Sequence, residues 1–187
     1  MRFMIAITPK DKFIEHEVKV LDIDVQSVCV ALEKMGAMKV FDSDRIFTYF
    51  DFHDGRLLNS DQEIRLTEEG EKLKLSFAEK VDQKQRTIKV FTSAKHETVS
   101  FLEKVGLKIK FTIKSHRVSY ELNGVEFDID SFPGIPSFLE IDTEFLKYPL
   151  TQLLSELKLE NHEMVTMSTL EIYKKYGVMI QEQQIRS

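Results

Sequence analysis

Charged and apolar residues alternate one by one in several segments of this chain, and that period of two constrains its fold more than any other feature. Between Phe13 and Leu21, Glu15, Glu17 and Lys19 fall on one side, and Ile14, Val18 and Val20 on the other with His16. Successive side chains of a strand point to opposite faces, so this segment reads as a strand with one charged and one apolar face. Aromatic and β-branched residues predict a strand at Arg45 to Phe52, and further strands are expected at Glu63 to Thr67, Lys72 to Ala78, Gln85 to Phe91, Leu107 to Glu121, Val125 to Ile129 and Phe138 to Glu144. His53-Asp54-Gly55, Glu69-Gly70 and Asn123-Gly124 supply turns between them.

Four segments change to helical spacing. Asp24 is placed to cap a helix from Val25 to Met35, which Gly36 ends. Glu97 to Val105 is a second helix, ended by Gly106, and Pro149 to Leu157 and Ser168 to Tyr176 are two more. Leu32-Glu33-Lys34-Met35-Gly36 is echoed by Leu102-Glu103-Lys104-Val105-Gly106. Each copy precedes a long strand that carries an arginine and then a tyrosine, Arg45 with Tyr49 and Arg117 with Tyr120. The repetition suggests two related halves. About eight antiparallel strands in two halves close naturally on themselves. The expected fold is therefore α+β: a closed antiparallel eight-stranded β-barrel, a tunnel, with helices packed outside. It spans a single domain from 12 to 177, with short extensions at 1–11 and 178–187.

Composition narrows the function classes. The 187 residues carry a formal net charge of -5, without the basic excess of a general nucleic-acid binder. Cys29 is the single cysteine, which excludes an intramolecular disulfide and a cysteine-based zinc site. No Gly-rich phosphate loop and no G-x-S-x-G elbow occurs. The first residues lack the long apolar region of a secretory signal, and no apolar run reaches membrane-spanning length. The expectation is a soluble cytoplasmic protein, monomer or homodimer, with no nucleic acid and no membrane as partner.

The charged faces carry the chemistry. Glu140, Asp142 and Glu144 share one strand face, and Glu126, Asp128 and Asp130 another. Arg65 goes with Thr67, Lys72 with Lys74 and Ser76, and Arg117 with Ser115 and Ser119. Such alternation by itself describes a sheet with one wet face. If the faces line one cavity, however, carboxylates and cations meet there. Clustered carboxylates repel, and a divalent cation with oxygen ligands, Mg²⁺ or Mn²⁺, relieves them. Arginine and lysine opposite would hold phosphate oxygens.

The order of these segments resembles the triphosphate tunnel metalloenzymes, the CYTH superfamily, over roughly Phe13 to Tyr176. Glu15-His16-Glu17-Val18-Lys19 resembles that family's opening E-x-E-x-K strand, and Tyr49-Phe50-Asp51 its Y-[YF]-D strand end. Glu63-Ile64-Arg65-Leu66-Thr67 falls on its Arg-bearing strand. Phe101 to Gly106 with Lys114 to Tyr120, and Phe127 to Asp130 with Ser137 to Asp142, look most like the class IV adenylyl cyclase branch.

The resemblance implies Mg²⁺ or Mn²⁺ held by Glu15, Glu17, Glu140 and Asp142, with Asp130 nearby. It implies a triphosphate-containing small molecule on Lys19, Arg65, Lys74, Arg86 and Arg117, with Lys19 also catalytic. Two reactions fit: hydrolysis of tripolyphosphate, thiamine triphosphate or a nucleoside triphosphate, and cyclisation of ATP to cyclic AMP and pyrophosphate. The alternative is a catalytically impaired tunnel protein that binds a phosphorylated ligand or polyphosphate. Departures from the family pattern favour it: Thr67 stands for a second arginine, Ala78 for a lysine, and Ile88 for a carboxylate.

Overall fold

Two long antiparallel strands, β2 (Met38–Asp51) and β6 (Lys108–Leu122), form the spine of the computed structural model, which describes residues 16–81, 84–144, 146–147 and 149–180. The other strands are β1 (Glu17–Val20), β3 (Gln62–Glu69), β4 (Lys72–Val81), β5 (Lys84–Thr92), β7 (Val125–Ser131), β8 (Phe138–Asp142) and β9 (Met164–Val165). Among the described residues they form one nine-stranded sheet in the order β5-β4-β3-β2-β6-β7-β8-β1-β9, with each neighbouring pair antiparallel. The sheet is strongly curled. Among the described residues β5 and β9 each have one neighbour, so the expected closed eight-stranded tunnel is corrected to an open nine-stranded half-barrel. A two-residue strand such as β9 has too few residues to show a period. Closure between distant strands likewise leaves no mark on local alternation.

The helices are α1 (Val25–Lys34), α2 (Lys95–Lys104), α3 (Leu150–Leu157) and α4 (Thr169–Lys175). Asp24 caps α1 as expected, its carboxylate accepting from Ser27 N at 2.8 Å. The two echoed segments end alike. Ala37 N donates to Leu32 O, and Leu107 N to Leu102 O, each at 3.0 Å. Gly36 and Gly106 adopt φ of 86° and 97° to permit this, a region that a side chain disfavours.

The convex face of the sheet is apolar. Val28 and Leu32 of α1 and Leu153, Leu154 and Leu157 of α3 bury Val20, Val118, Phe127, Ile129, Leu139 and Ile141. Leu102 of α2 packs with Phe50, Leu66 and Leu107. The concave face is divided. At one end Phe47, Tyr49, Phe111, Ile113 and Phe138 meet Ile172 and Tyr173 of α4. Phe132 joins them, stacked on Phe47 at 5.6 Å and on Phe138 at 5.8 Å, with Tyr173 edge-on at 6.2 Å. Ser168 and Glu171 cap α4 reciprocally, and Lys80 of β4 pairs with Glu171, so α4 is fixed across this end. The other end of the trough is left to charged residues. No helix among the described residues is long and apolar enough to cross a membrane.

Asp51, at the end of β2, is fully buried and holds the loop that follows. Its Oδ1 accepts from Phe52 N at 2.7 Å and Leu57 N at 3.0 Å, and its Oδ2 from Leu58 N at 3.1 Å. The aspartate of the Tyr49-Phe50-Asp51 motif is thus a loop clasp. Asp51→Ala leaves three amides without their acceptor and is expected to lower the unfolding free energy by about 3 kcal/mol in urea denaturation. Asp51→Asn keeps one oxygen and should lose less. A loss below about 1 kcal/mol for Asp51→Ala would mean that the loop is held by something else.

Candidate functional site

β2 and β6 cross at two short matching strings, Ser43-Asp44-Arg45 and Ser115-His116-Arg117. Their register pairs Ser43 with Arg117 and Arg45 with Ser115, so a local two-fold relates the strings and brings both arginines to the concave face. Asp130 of β7, opposite Arg117, receives both. Arg45 Nη2 lies 2.5 Å and Arg117 Nε 2.7 Å from Asp130 Oδ1. Arg117 also pairs with Asp128 and, at 2.6 Å, with Glu140 Oε2. Despite burial, which opposes its charge, Asp130, Glu140 and Asp128 hold the Arg117 guanidinium well above its ordinary range. Burial, and then Arg117, push Arg45 the other way.

The acidic wall stands beside this clamp. Glu17 pairs across the sheet with Asp142, and Lys19 with Glu140. Lys19 Nζ lies 3.2 Å from Glu140 Oε1 and 3.7 Å from Glu17 Oε2. Burial alone would raise Glu140, but Lys19, Arg117 and Arg45 hold its carboxyl well below the usual range. Asp128 goes up to about 6, because burial and the nearby Glu140 outweigh Arg117 and the Ser119 hydroxyl. Asp142 Oδ1 accepts from Glu144 N at 2.9 Å. Glu15 lies outside the described residues.

The opposite wall is cationic. Arg65 on β3 pairs in register with Ser76 on β4, and Ser76 with Lys89 on β5; Thr67 pairs with Lys74. Arg65 Nη1 donates to Tyr49 Oη at 3.5 Å. Arg45 and Arg65 both lie over the Phe47 ring, at 4.8 and 4.9 Å, which joins this wall to the central clamp. Burial, and then the charges of Arg65 and Lys89, push the Lys74 ammonium down to about 8. The buried hydroxyls of Thr67, Thr87 and Ser115 find no hydrogen-bond partner among the described residues. Their strand positions place them on this face. Buried hydroxyls of this kind are stabilised by a ligand that supplies the missing bond.

The structure therefore brings Glu17, Lys19, Glu140 and Asp142 together, and Arg65 with Lys74. It does not bring Arg86 to them: Arg86 is opposite Glu79, pairs with it, and has the other parity of β5. Lys89, opposite Ser76, takes the concave position instead. Alternation shows which residues share a face, and only pairing with β4 shows which face turns inward. Arg45 joins the site as well; its place in the repeat, matching Arg117, is the signal that marks it. Asp130 is 1% exposed and turned to two arginines. The candidate metal ligands are all carboxylates, which suits a hard cation. Among the described residues, no group of three or more His, Cys, Asp or Glu is disposed to hold one.

Asp130 as the partner of two arginines makes a definite expectation. Asp130→Asn leaves Arg45 and Arg117 undercompensated and should cost about 3–5 kcal/mol of stability, read from thermal unfolding in EDTA. Wild-type stability in EDTA combined with lost Mn²⁺ affinity would instead make Asp130 a metal ligand.

No protein-family model and no curated protein matches the chain. Solved structures match its fold across nearly their whole length. A candidate adenylate cyclase from Vibrio parahaemolyticus superposes with a TM-score of 0.71 at 15% identity, covering 86% of this chain and 98% of that one. The PH1012 protein of Pyrococcus horikoshii gives 0.69 at 18% identity, with 84% and 98% covered. A candidate adenylyl cyclase from Hippeastrum, described as having a dominant triphosphatase activity, gives 0.65 at 14% identity, with 89% and 97% covered. The chain thus shares the fold of these proteins.

Proposed function

We propose that the concave face, within a single domain of residues 12–177, binds a triphosphate together with Mg²⁺ or Mn²⁺ and processes it. The observation that carries this reading is the cationic wall. Lys74 is buried enough, and Arg65 and Lys89 stand close enough, that its ammonium is pushed down to about 8 despite Glu69. Like charges gathered at such a cost are relieved by a polyanion. Arg65 offers a forked donor to a phosphate, and Lys74 and Lys89 offer point charges. Lys19, fixed between Glu17 and Glu140, stands on the other wall to meet the reacting phosphoryl group. Glu17, Glu140 and Asp142, with Glu15, would hold the cation, which when bound neutralises charge on the phosphate oxygens.

Two outcomes fit this arrangement. Water attack on a terminal phosphoryl group releases orthophosphate. Attack by the ribose 3′-hydroxyl of ATP on its α-phosphate releases pyrophosphate and gives cyclic AMP. The second reading, a binding protein with little turnover, is favoured by Arg117, which three carboxylates already engage. Purified protein with Mg²⁺ or Mn²⁺ and ATP, tripolyphosphate or thiamine triphosphate separates the two, scored for phosphate, pyrophosphate and cyclic AMP. Tight binding without any product would leave only the binding reading.

Removing the acidic pair tests the metal assignment. Glu15→Gln with Glu17→Gln should abolish metal-dependent activity and leave the fold intact by circular dichroism. Activity that survived with Mg²⁺ would sink the assignment.

Lys74 gives a pH test. A lysine depressed to about 8 is charged below that pH and neutral above it. Affinity for tripolyphosphate should therefore be full below about pH 8 and fall up to about tenfold by pH 9. Stability should move the other way, rising with pH above 8, because the folded state binds fewer protons there than the unfolded chain. Relative to wild type, Lys74→Met should show neither change. A wild-type affinity that tracked the variant's at every pH would refute the role.

A further inference from the structure

Among the described residues β5 and β9 are the two edges of the sheet, and they are unlike. β9 has two residues, and a short edge is one way that proteins discourage further pairing. β5 has nine residues and no proline. Its pairing with β4 closes at Val81 and Lys84, and only a hydrogen-bonded pair can close so short a connection. Hydrogen-bonded and non-hydrogen-bonded pairs alternate along an antiparallel ladder. Arg86, Ile88 and Val90 therefore bond to β4, whereas Gln85, Thr87, Lys89 and Phe91 direct their N–H and C=O groups away from it.

The same edge carries apolar side chains. Ile88 and Val90 lie on the convex face, opposite Phe77 and Leu75 of β4. Thr92 comes next on that face, and its hydroxyl lies 3.4 Å from that of Thr98 on α2. Phe101 and Val105 follow Thr98 by three and seven residues, which sets them on the same side of the helix. Phe91 stands on the other face of the strand. These five side chains, Ile88, Val90, Phe91, Phe101 and Val105, are between 45% and 70% exposed. They leave on the order of 500 Å² of apolar surface to water, near the upper end for a monomer. Covered on two copies, that surface reaches the ~1,000 Å² that a stable interface needs.

We infer that β5 pairs antiparallel with β5 of a second copy of this chain, about a two-fold axis that passes through Ile88 perpendicular to the sheet. Ile88 is the midpoint of the strand, so this axis uses all nine residues. Thr87 then meets Lys89 of the partner subunit, and Gln85 meets Phe91 of the partner subunit. Each such pair exchanges backbone hydrogen bonds, roughly eight in all. The two Ile88 side chains meet at a non-hydrogen-bonded position, where facing side chains come closest. Edge lysines ordinarily oppose such pairing, and here they select its register. An axis at Lys89 would set two lysines directly opposite one another. An axis at Val90 would use only the C-terminal half of the strand. With the axis at Ile88 no two cations are opposite. Arg86, already paired with Glu79, faces Val90 of the partner subunit, and Lys84 falls opposite Thr92 of the partner subunit. Both concave faces stay on one side of a continuous sheet.

Light scattering on the full chain is expected to give twice the chain mass. Ile88→Lys and Ile88→Glu each set like charges at the axis, and each should weaken self-association at least about tenfold. Mixed in equal amounts, the two variants set opposite charges there and should pair again, which misfolded chains would not do. In a Cys29→Ser background, Ile88→Cys should form a disulfide between copies on oxidation, because facing residues lie within its reach. Val90→Cys should not, since its two copies are offset by four residues, about 13 Å along the strand. A wild-type chain that stays monomeric at about 100 μM leaves the edge to another segment or a different protein and overturns the inference. Self-association that Ile88→Lys leaves unchanged overturns it too, as does a cross-link at Val90 with none at Ile88.

Discussion

The concave face depends on one buried arrangement, the Asp130 carboxylate between the guanidinium groups of Arg45 and Arg117. Two arginines brought side by side by the pairing of β2 with β6 would repel each other inside the trough. Asp130, from the next strand, neutralises them, and Asp128 and Glu140 complete the shell of Arg117. A buried ionic group of this kind gives little net stability against an apolar substitute, yet it is costly to break. Its consequence here is positional: it fixes three central strands in register with their charges pointing into one trough.

From that centre the charges separate in opposite directions along the sheet. Toward β8 and β1 the face becomes acidic, with Lys19 set among Glu17 and Glu140. Toward β3, β4 and β5 it becomes cationic, with Arg65, Lys74 and Lys89. Curling of the sheet turns the two walls toward one another. Along the strands, a second gradient runs from charged residues to the aromatic cluster under α4.

The local two-fold adds a structural reason for the arrangement. The echoed helix ends at Gly36 and Gly106 share their hydrogen bonds, and each leads into a strand with Ser-x-Arg on the concave side. One half then adds carboxylates through β7 and β8, and the other adds cations through β3, β4 and β5. A repeated scaffold with differing partners yields a polar site at the junction of the halves.

Much of this was legible in the sequence. Alternation assigned the shared faces of Glu17 with Lys19, of Glu140 with Asp142, and of Arg65 with Thr67, because a strand's side chains have a fixed period. Helix ends at Gly36 and Gly106 followed from the need for a positive φ. Tertiary structure alone decided the rest. It turned Lys89 inward and Arg86 outward, since only pairing with β4 sets which face of an edge strand meets the trough. It committed Asp130 to Arg45 and Arg117 across three strands, a contact between residues 85 positions apart for Arg45 that no local pattern encodes. It left the sheet open among the described residues and added the two-residue β9. The sequence by itself determined which residues could stand together on a face; the curl and pairing of the sheet decided which of them meet, because those depend on contacts between distant segments.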